Sequence, residues 1–306
     1  MANNSHVPKT IVITGCSSGF GRQVSEQLAR RGDRVYATMR GIGDKNAAIA
    51  NELRALAKAE NLDLRVLEMD VTSSHSVDAA AKTVLAESGA PDVVVNNAGQ
   101  MYIGFTESFT AEELTRQLDI NVVGIHRVNR AFLPAMRKQG KGLFINISSV
   151  AGRLSAPFFG VYHASKWAVE GYSMALRGEL ASSGVDVVLV EPGPFTTSLF
   201  TSSPRPEDAD ARIASYPVVA QQTLATLATA FEGILNDPAA PTDPDLVVQR
   251  IIALADMPAG SRPFRSVVGL DFGVTAHNAA AEPFDAAVLE AFGMTTFATL
   301  QPSELE

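Results

Sequence analysis

Short, almost wholly apolar runs alternate along the chain with segments in which apolar residues recur at helical spacing. Thr10 to Thr14 reads as a buried strand, followed by a glycine-rich turn and a helix from about Gly21 to Arg31. A second strand, Arg34 to Met39, is announced by the Gly32–Asp33 turn, and a helix follows from Asn46 to Glu60. Leu64 to Met69 is a third strand, Ser74 is placed to cap a helix running to about Glu87, and Asp92 to Val95 is a fourth strand. One long helical region is expected over Ala111 to Arg137, then strand Gly142 to Ile147, a helix over Val161 to Ser182, and strand Val185 to Val190.

These strands are apolar throughout rather than alternating, as a parallel sheet covered on both faces requires. Repeated β–α alternation predicts an α/β fold with a doubly wound parallel sheet of Rossmann type, in a single domain over residues 1–306 with its core at about 9–270. After the sixth strand the texture changes. FTTSLFTSSPRPEDAD, rich in Ser, Thr, Pro and acid, reads as an exposed, mobile connection within a substrate lid at about 194–240. Helices are expected from Ile213 to Leu235 and from Pro244 to Ala255, and Ser266 to Leu270 closes the sheet. The extension at about 279–306 is longer than the fold needs, and the sequence assigns it no element.

Composition narrows the classes. A hydrophobic content of 46% and a charged content of 19% describe a soluble globular protein. The net charge of −8 argues against nucleic acid as a partner. The start lacks the basic region and apolar run of a signal peptide, and no stretch has the roughly 18 apolar residues of a membrane span. Cys16 is the only cysteine, so no internal disulfide forms, and the five histidines show no metal-ligand spacing. A cytoplasmic protein without a metal is the expectation.

Three features carry chemistry. TGCSSGFG, Thr14 to Gly21, places three glycines at the turn from first strand to first helix. There the backbone can approach a pyrophosphate, and the helix presents free amides and a positive dipole end. The spacing is G-x-x-x-G-x-G rather than the G-x-G-x-x-G of dinucleotide folds. YHASK places Tyr162 and Lys166 one helical turn apart, so that they share a face. Ser148 and Ser149 follow the fifth strand at its carboxyl end, where α/β ligands bind.

Together these residues resemble the short-chain dehydrogenase/reductase family in its single-domain branch, over roughly Lys9 to Leu270. Thr14, Gly15, Gly19 and Gly21 match its glycine motif, with Ser17, Ser18 and Phe20 in the same cofactor loop. Asp70 and Val71 match the pair that touches adenine, and Asn96 to Gly99, with Asn97, Ala98 and Gly99 at the cofactor, match the segment closing the fourth strand. Asn121, Ser149, Tyr162 and Lys166 match the catalytic tetrad, and Pro192, Gly193 and Thr197 match the motif after the sixth strand. Around GCSSGFGR and VYATMR the chain is similar to steroid- and retinol-dehydrogenase-like members.

The resemblance implies hydride transfer between a nicotinamide and a carbonyl carbon. A tyrosine titrates near ~10 unaided, and a cation within about 4–6 Å lowers an acid's pKa by roughly 1–3. Lys166 is therefore expected to lower Tyr162, which exchanges the proton while Ser149 binds the substrate oxygen. Asn121 is expected to hold a helix kink and a water leading to the lysine. Ser149 stands thirteen residues before Tyr162, as the family pattern requires; Ser148 is the structural competitor, and His163 is a packing or surface residue off the Tyr–Lys face.

NAD-specific members carry an acid at the end of the second strand, where this chain has Met39 followed by Arg40. A basic residue there favours NADP(H) over NAD(H). Bulky apolar residues (Leu154, Phe158, Phe159, Met101, Tyr102, Phe195, Leu199, Phe200) favour a hydrophobic ketone, steroid, retinoid or lipid-like alcohol. The family commonly forms homodimers or homotetramers through the helices at 111–137 and 161–182. A non-catalytic dinucleotide sensor and an NAD-retaining epimerase or dehydratase are the rival readings; the intact tetrad and the short C-terminal part, respectively, weigh against them.

Overall fold

A computed structural model describes residues 6–301. Its seven-stranded sheet is parallel throughout, in the order β3-β2-β1-β4-β5-β6-β7. The strands are β1 (Thr10–Ile13), β2 (Arg34–Met39), β3 (Leu64–Glu68), β4 (Val93–Asn96), β5 (Gly142–Ile147), β6 (Val185–Pro192) and β7 (Arg265–Val268). The predicted alternation holds, with strand ends displaced by one or two residues and the helix expected to reach Ser182 ending at Glu179.

Period-two geometry splits each strand between two cores. Ile11, Ile13, Val93 and Val95 pack on one face with Val24 and Leu28 of α1 (Gly19–Arg30), Leu53 of α2 (Ala47–Glu60) and Ile251. Val12 and Val94 pack on the other with Val77 of α3 (Ser74–Ser88) and with Val128 and Phe132. Both faces are covered, which is why the strands read as unbroken apolar runs. The strand order reverses between β1 and β4, opening the crevice where such sheets bind ligands. Thr14 closes its floor: its Oγ1 accepts from the amides of Asn97 and Ala98, at 3.0 and 2.9 Å.

Several expectations need correction. Ser73, not Ser74, caps α3, its side chain accepting from the Ser76 amide at 3.2 Å. The expected helix over 111–137 is two helices, α4 (Ala111–Leu118) and α5 (Gly124–Gln139), joined by a π turn at Asp119–Val123. Such a turn leaves the apolar periodicity almost intact, so the sequence reads through it. The connection expected to be an exposed loop contains α7 (Ser198–Thr201) and α8 (Ala209–Ile213), and it buries Phe195, Pro206 and Ala209. The helix expected from Ile213 begins only at Val218, because Pro217 turns the chain before α9 (Val218–Asn236).

Beyond α10 (Asp245–Asp256) and β7, the unassigned tail forms α11 (Val274–Ala291). Val274 and Asn278 are its buried positions, and Gln301, further on, donates its amide to the Ala181 carbonyl at 2.6 Å.

Candidate active site

A cleft of about 840 Å³ runs along the carboxyl ends of the central strands. One end is made by the turn after β1. Gly15 and Gly19 adopt φ of +73° and +56°, and a Cβ on Gly15 would sit 2.8 Å from Ala98 Cα. Glycine is required there by conformation and by the close approach of two strands. Ser18 precedes α1 without capping it, so the first amides of α1 are left for a ligand. Ser17, Ser18, Gly19, Phe20, Arg40, Asp70, Val71, Asn97, Ala98, Gly99, Pro192, Gly193 and Thr197 all line the cleft with Gly15.

Gly21 does not. It is a packing glycine: a Cβ there would collide with the Asn97 side chain and the Gly15 carbonyl. Asn96 is also drawn away from the cleft. Its Nδ2 donates to Asn129 Oδ1 and Asn146 Oδ1, both at 2.8 Å, beneath the sheet's carboxyl edge. Asn97 Nδ2 donates to the carbonyls of Thr14 and Gly15, at 2.8 and 3.2 Å. The adjacent asparagines therefore brace the crevice from both sides.

At the centre stand Ser149, Tyr162 and Lys166. Tyr162 and Lys166 come from one face of α6 (Gly160–Glu179), and both are buried. Ser149 caps the short turn at Val150–Gly152, its Oγ accepting from the Ala151 amide at 3.1 Å and donating to the Pro192 carbonyl at 3.3 Å. Lys166 Nζ donates to the Ile147 carbonyl at 2.8 Å and lies 5.7 Å from the centre of the Tyr162 ring.

The electrostatics overturn one expectation. Tyr162 is not lowered: burial pushes its hydroxyl up to about 12, against the smaller opposing effect of the nearby Ser149 hydroxyl. Burial also brings Lys166 down to about 8, with the charge of Glu170 pulling the other way. Removing both groups from water outweighs their mutual influence at this separation.

Asn121 sits inside the π turn and does not reach the cleft lining. Its Oδ1 accepts from the Gln100 amide at 2.9 Å, and its Nδ2 donates to the Gln100 carbonyl at 2.9 Å and to Ser165 Oγ at 3.0 Å. It ties the segment after β4 to α6. Ser148 is the structural hydrogen bonder expected, donating to Glu170. His163 is neither a surface residue nor a purely apolar packer. It is buried and lines the cleft, its Nδ1 bonded to the Ala151 carbonyl at 2.7 Å and its Nε2 accepting from the Ala156 amide at 2.9 Å. Lys45, beside Arg40 in the same cleft, escaped the sequence reading because it lies in a loop with no local motif.

Over the other end of the cleft lies the inner face of α9. Phe231 stacks on Phe200 with ring centres 5.0 Å apart and meets Phe159 at 5.7 Å, with Leu227 and Met101 alongside. Ser18 and Ser198 hydroxyls, 3.2 Å apart, link the glycine turn to this lid.

Among the described residues no helix is long and apolar enough to cross a membrane. The family model of the short chain dehydrogenases matches residues 9–208. A 3-ketodihydrosphingosine reductase of Bacteroides thetaiotaomicron is 41% identical over 191 residues, 62% of this chain and 65% of that protein, so the match spans less than two thirds of that relative's length. An NADPH-dependent pterin aldehyde reductase of Arabidopsis thaliana is 37% identical over 202 residues, 66% of this chain and 81% of that one. The crystal structure of a short-chain dehydrogenase from Streptomyces avermitilis superposes with a TM-score of 0.70 at 31% identity, covering 94% of this chain and 98% of that one. With the glycine turn at the β1–β4 crevice and the Ser–Tyr–Lys group on its floor, the chain belongs to the short-chain dehydrogenase/reductase family.

Proposed function

We propose that this chain is an NADP(H)-dependent oxidoreductase that interconverts a carbonyl and an alcohol on an apolar small molecule. The observation that carries the reading is that Ser149, Tyr162 and Lys166 are buried together in one cleft, Lys166 one helical turn past Tyr162. The residues around the cleft suit a dinucleotide. Free amides at the start of α1 and the glycine turn suit its pyrophosphate, and Asp70 and Val71 suit its adenine. Arg40 and Lys45 suit a 2′-phosphate, which no acid at the end of β2 opposes.

Bound nicotinamide supplies or accepts the hydride at the substrate carbon. Ser149 Oγ–H donates to the substrate oxygen, and Tyr162 Oη gives that oxygen its proton in carbonyl reduction or receives one in alcohol oxidation. With burial holding Tyr162 protonated at neutral pH, the reduction direction has its proton donor ready. Lys166, charged below about 8, stabilises the tyrosinate left behind and holds the nicotinamide ribose. Asn121 acts through Ser165 and the Gln100 segment as a positioning residue rather than at the reacting atoms.

The aromatic group of Phe159, Phe200 and Phe231 favours a hydrophobic ketone or lipid-like alcohol. The relative named a 3-ketodihydrosphingosine reductase agrees with a ketone substrate. The lid at about 194–240 and the extension at about 279–306 are read as parts of one oxidoreductase domain. A cytoplasmic homodimer or homotetramer is the assembly we favour: Leu114, Val123, Trp167 and Met174 are exposed apolar residues on α4, the π turn and α6, and the single cysteine suits a reducing compartment.

The test is a panel of apolar and polar carbonyls with NADPH and NADH, run on the wild type and Tyr162→Phe. Wild-type turnover should favour NADPH and apolar ketones, and Tyr162→Phe should lose turnover while still binding cofactor. Wild-type-like turnover by that variant overturns the mechanism, and dinucleotide binding without turnover by the wild type points to a sensor.

A further inference from the structure

Behind the catalytic group lies a buried charged cluster that the proposed chemistry does not use. Glu170, on α6 one turn past Lys166, faces Glu191 of β6, and both side chains are almost wholly buried. A single cation, Arg265 of β7, stands between them, its Nε 2.9 Å from Glu170 Oε2 and 3.7 Å from Glu191 Oε1. Two facing buried carboxylates that share this guanidinium resist ionising together.

The hydrogen bonds decide which one keeps its charge. Glu170 receives two donors, the Ser148 hydroxyl and Arg265 Nε. Glu191 receives one, Asn278 Nδ2 of α11 at 2.7 Å, and its Oε1 has no hydrogen-bond partner among the described residues. An orphaned buried oxygen is costly as an acceptor, but it needs no acceptor role if it carries a hydrogen and donates it. Burial, and then the facing charge of Glu170, push the Glu191 carboxyl up to about 8, in agreement. The other charged groups around the pair are Lys166 and, behind Asn278, Arg153, whose Nε donates to Asn278 Oδ1 at 2.7 Å.

We propose that Glu191 is held as a neutral acid donating to Glu170, which leaves Glu170 as the buried carboxylate that keeps Lys166 charged. Glu170 is thus a positioning residue acting through Lys166, and Glu191 is the acid that lets it stay ionised at the cost of no second charge. The inference rests on the reading of Lys166 as part of the catalytic site.

The test compares Glu170→Gln with Glu191→Gln. The protonation of Lys166 is followed from pH 6 to 10 by competitive acetic anhydride labelling and peptide mass spectrometry, beside the pH profile of NADPH turnover. Glu170→Gln should move the Lys166 labelling midpoint down by about one pH unit, and turnover at pH 8.5 relative to pH 6.5 should fall about sixfold. Glu191→Gln, whose amide donates where the acid did, should leave both unchanged. An unmoved midpoint in Glu170→Gln, or an equal shift in Glu191→Gln, overturns the proposal.

Should Glu170→Gln fail to fold, the wild type and Glu191→Gln still decide by infrared difference spectroscopy. A protonated-carboxyl band present in the wild type and lost in Glu191→Gln is expected; its absence from the wild type overturns the assignment. Retained turnover in Tyr162→Phe would remove the catalytic reading while the labelling midpoints still judge this one.

Discussion

Asn121 Nδ2 lies 3.0 Å from Ser165 Oγ, so the π turn between α4 and α5 is fastened to the helix that carries Tyr162 and Lys166. The same side chain makes a two-way bond with the backbone of Gln100. The kink and the asparagine thus form one device: the turn presents the amide, and the amide joins two walls of the cleft.

Asn121→Ala removes all three bonds from a buried position. Leaving the Gln100 amide unpartnered costs about 1–3 kcal/mol. A lowered melting temperature is expected, with turnover falling more than tenfold as α6 loses its register against the segment after β4. Calorimetry and steady-state kinetics on the one variant check both.

Lys166 destabilises the fold that uses it. Its value falls from 10.5 in the unfolded chain to about 8 in the folded one, so between these the unfolded chain binds more protons and stability rises with pH. Below about 8 the full penalty applies, on the order of 3 kcal/mol. Lys166→Met should therefore be inactive yet more stable than the wild type at pH 7, with the gap in unfolding free energy closing as pH rises past 8. Denaturant titrations at pH 7 and 10 measure it; Tyr162 and Cys16 are common to both proteins and cancel.

Gly15→Ala meets two obstacles, a φ of +73° and the backbone of Ala98. The left-handed conformation alone costs about 1–2 kcal/mol for an L-residue. The variant should unfold at lower temperature and bind NADPH at least tenfold more weakly, as thermal melts and fluorescence titration would record.

Arg40→Ala tests the choice of dinucleotide. A charge-assisted bond to a phosphate contributes about 1.5–3 kcal/mol, so the NADPH dissociation constant should rise ten- to a hundredfold while that for NADH stays within about twofold. Equal losses for both cofactors would place Arg40 in a purely structural role.

Much of this was legible in the chain itself. The sheet announced itself because both faces of β1 and β4 are covered, leaving only apolar residues in Ile11–Ile13 and Val93–Val95. The glycine turn was legible because positive φ and close backbone approach leave glycine as the residue that fits at 15. The π turn was hidden, since one extra residue shifts the helical period too little to show. Helix α11 was hidden for another reason: beyond Val274 and Asn278 it buries almost nothing, so it carries no apolar stripe to read. The rise of Tyr162 depends on burial by segments distant in sequence, which local spacing does not encode.

Asn278 also sets an order of events. The strands that open the crevice, β1 to β4, leave the ribosome early, but a single domain folds as a unit. The side chain that binds Arg153 and partners Glu191 emerges after every strand of the sheet. A chain stopped short of Asn278 would carry every strand and still lack the buried acid pair's third partner, so the support behind the site is completed only by the last stretch of the domain to be made.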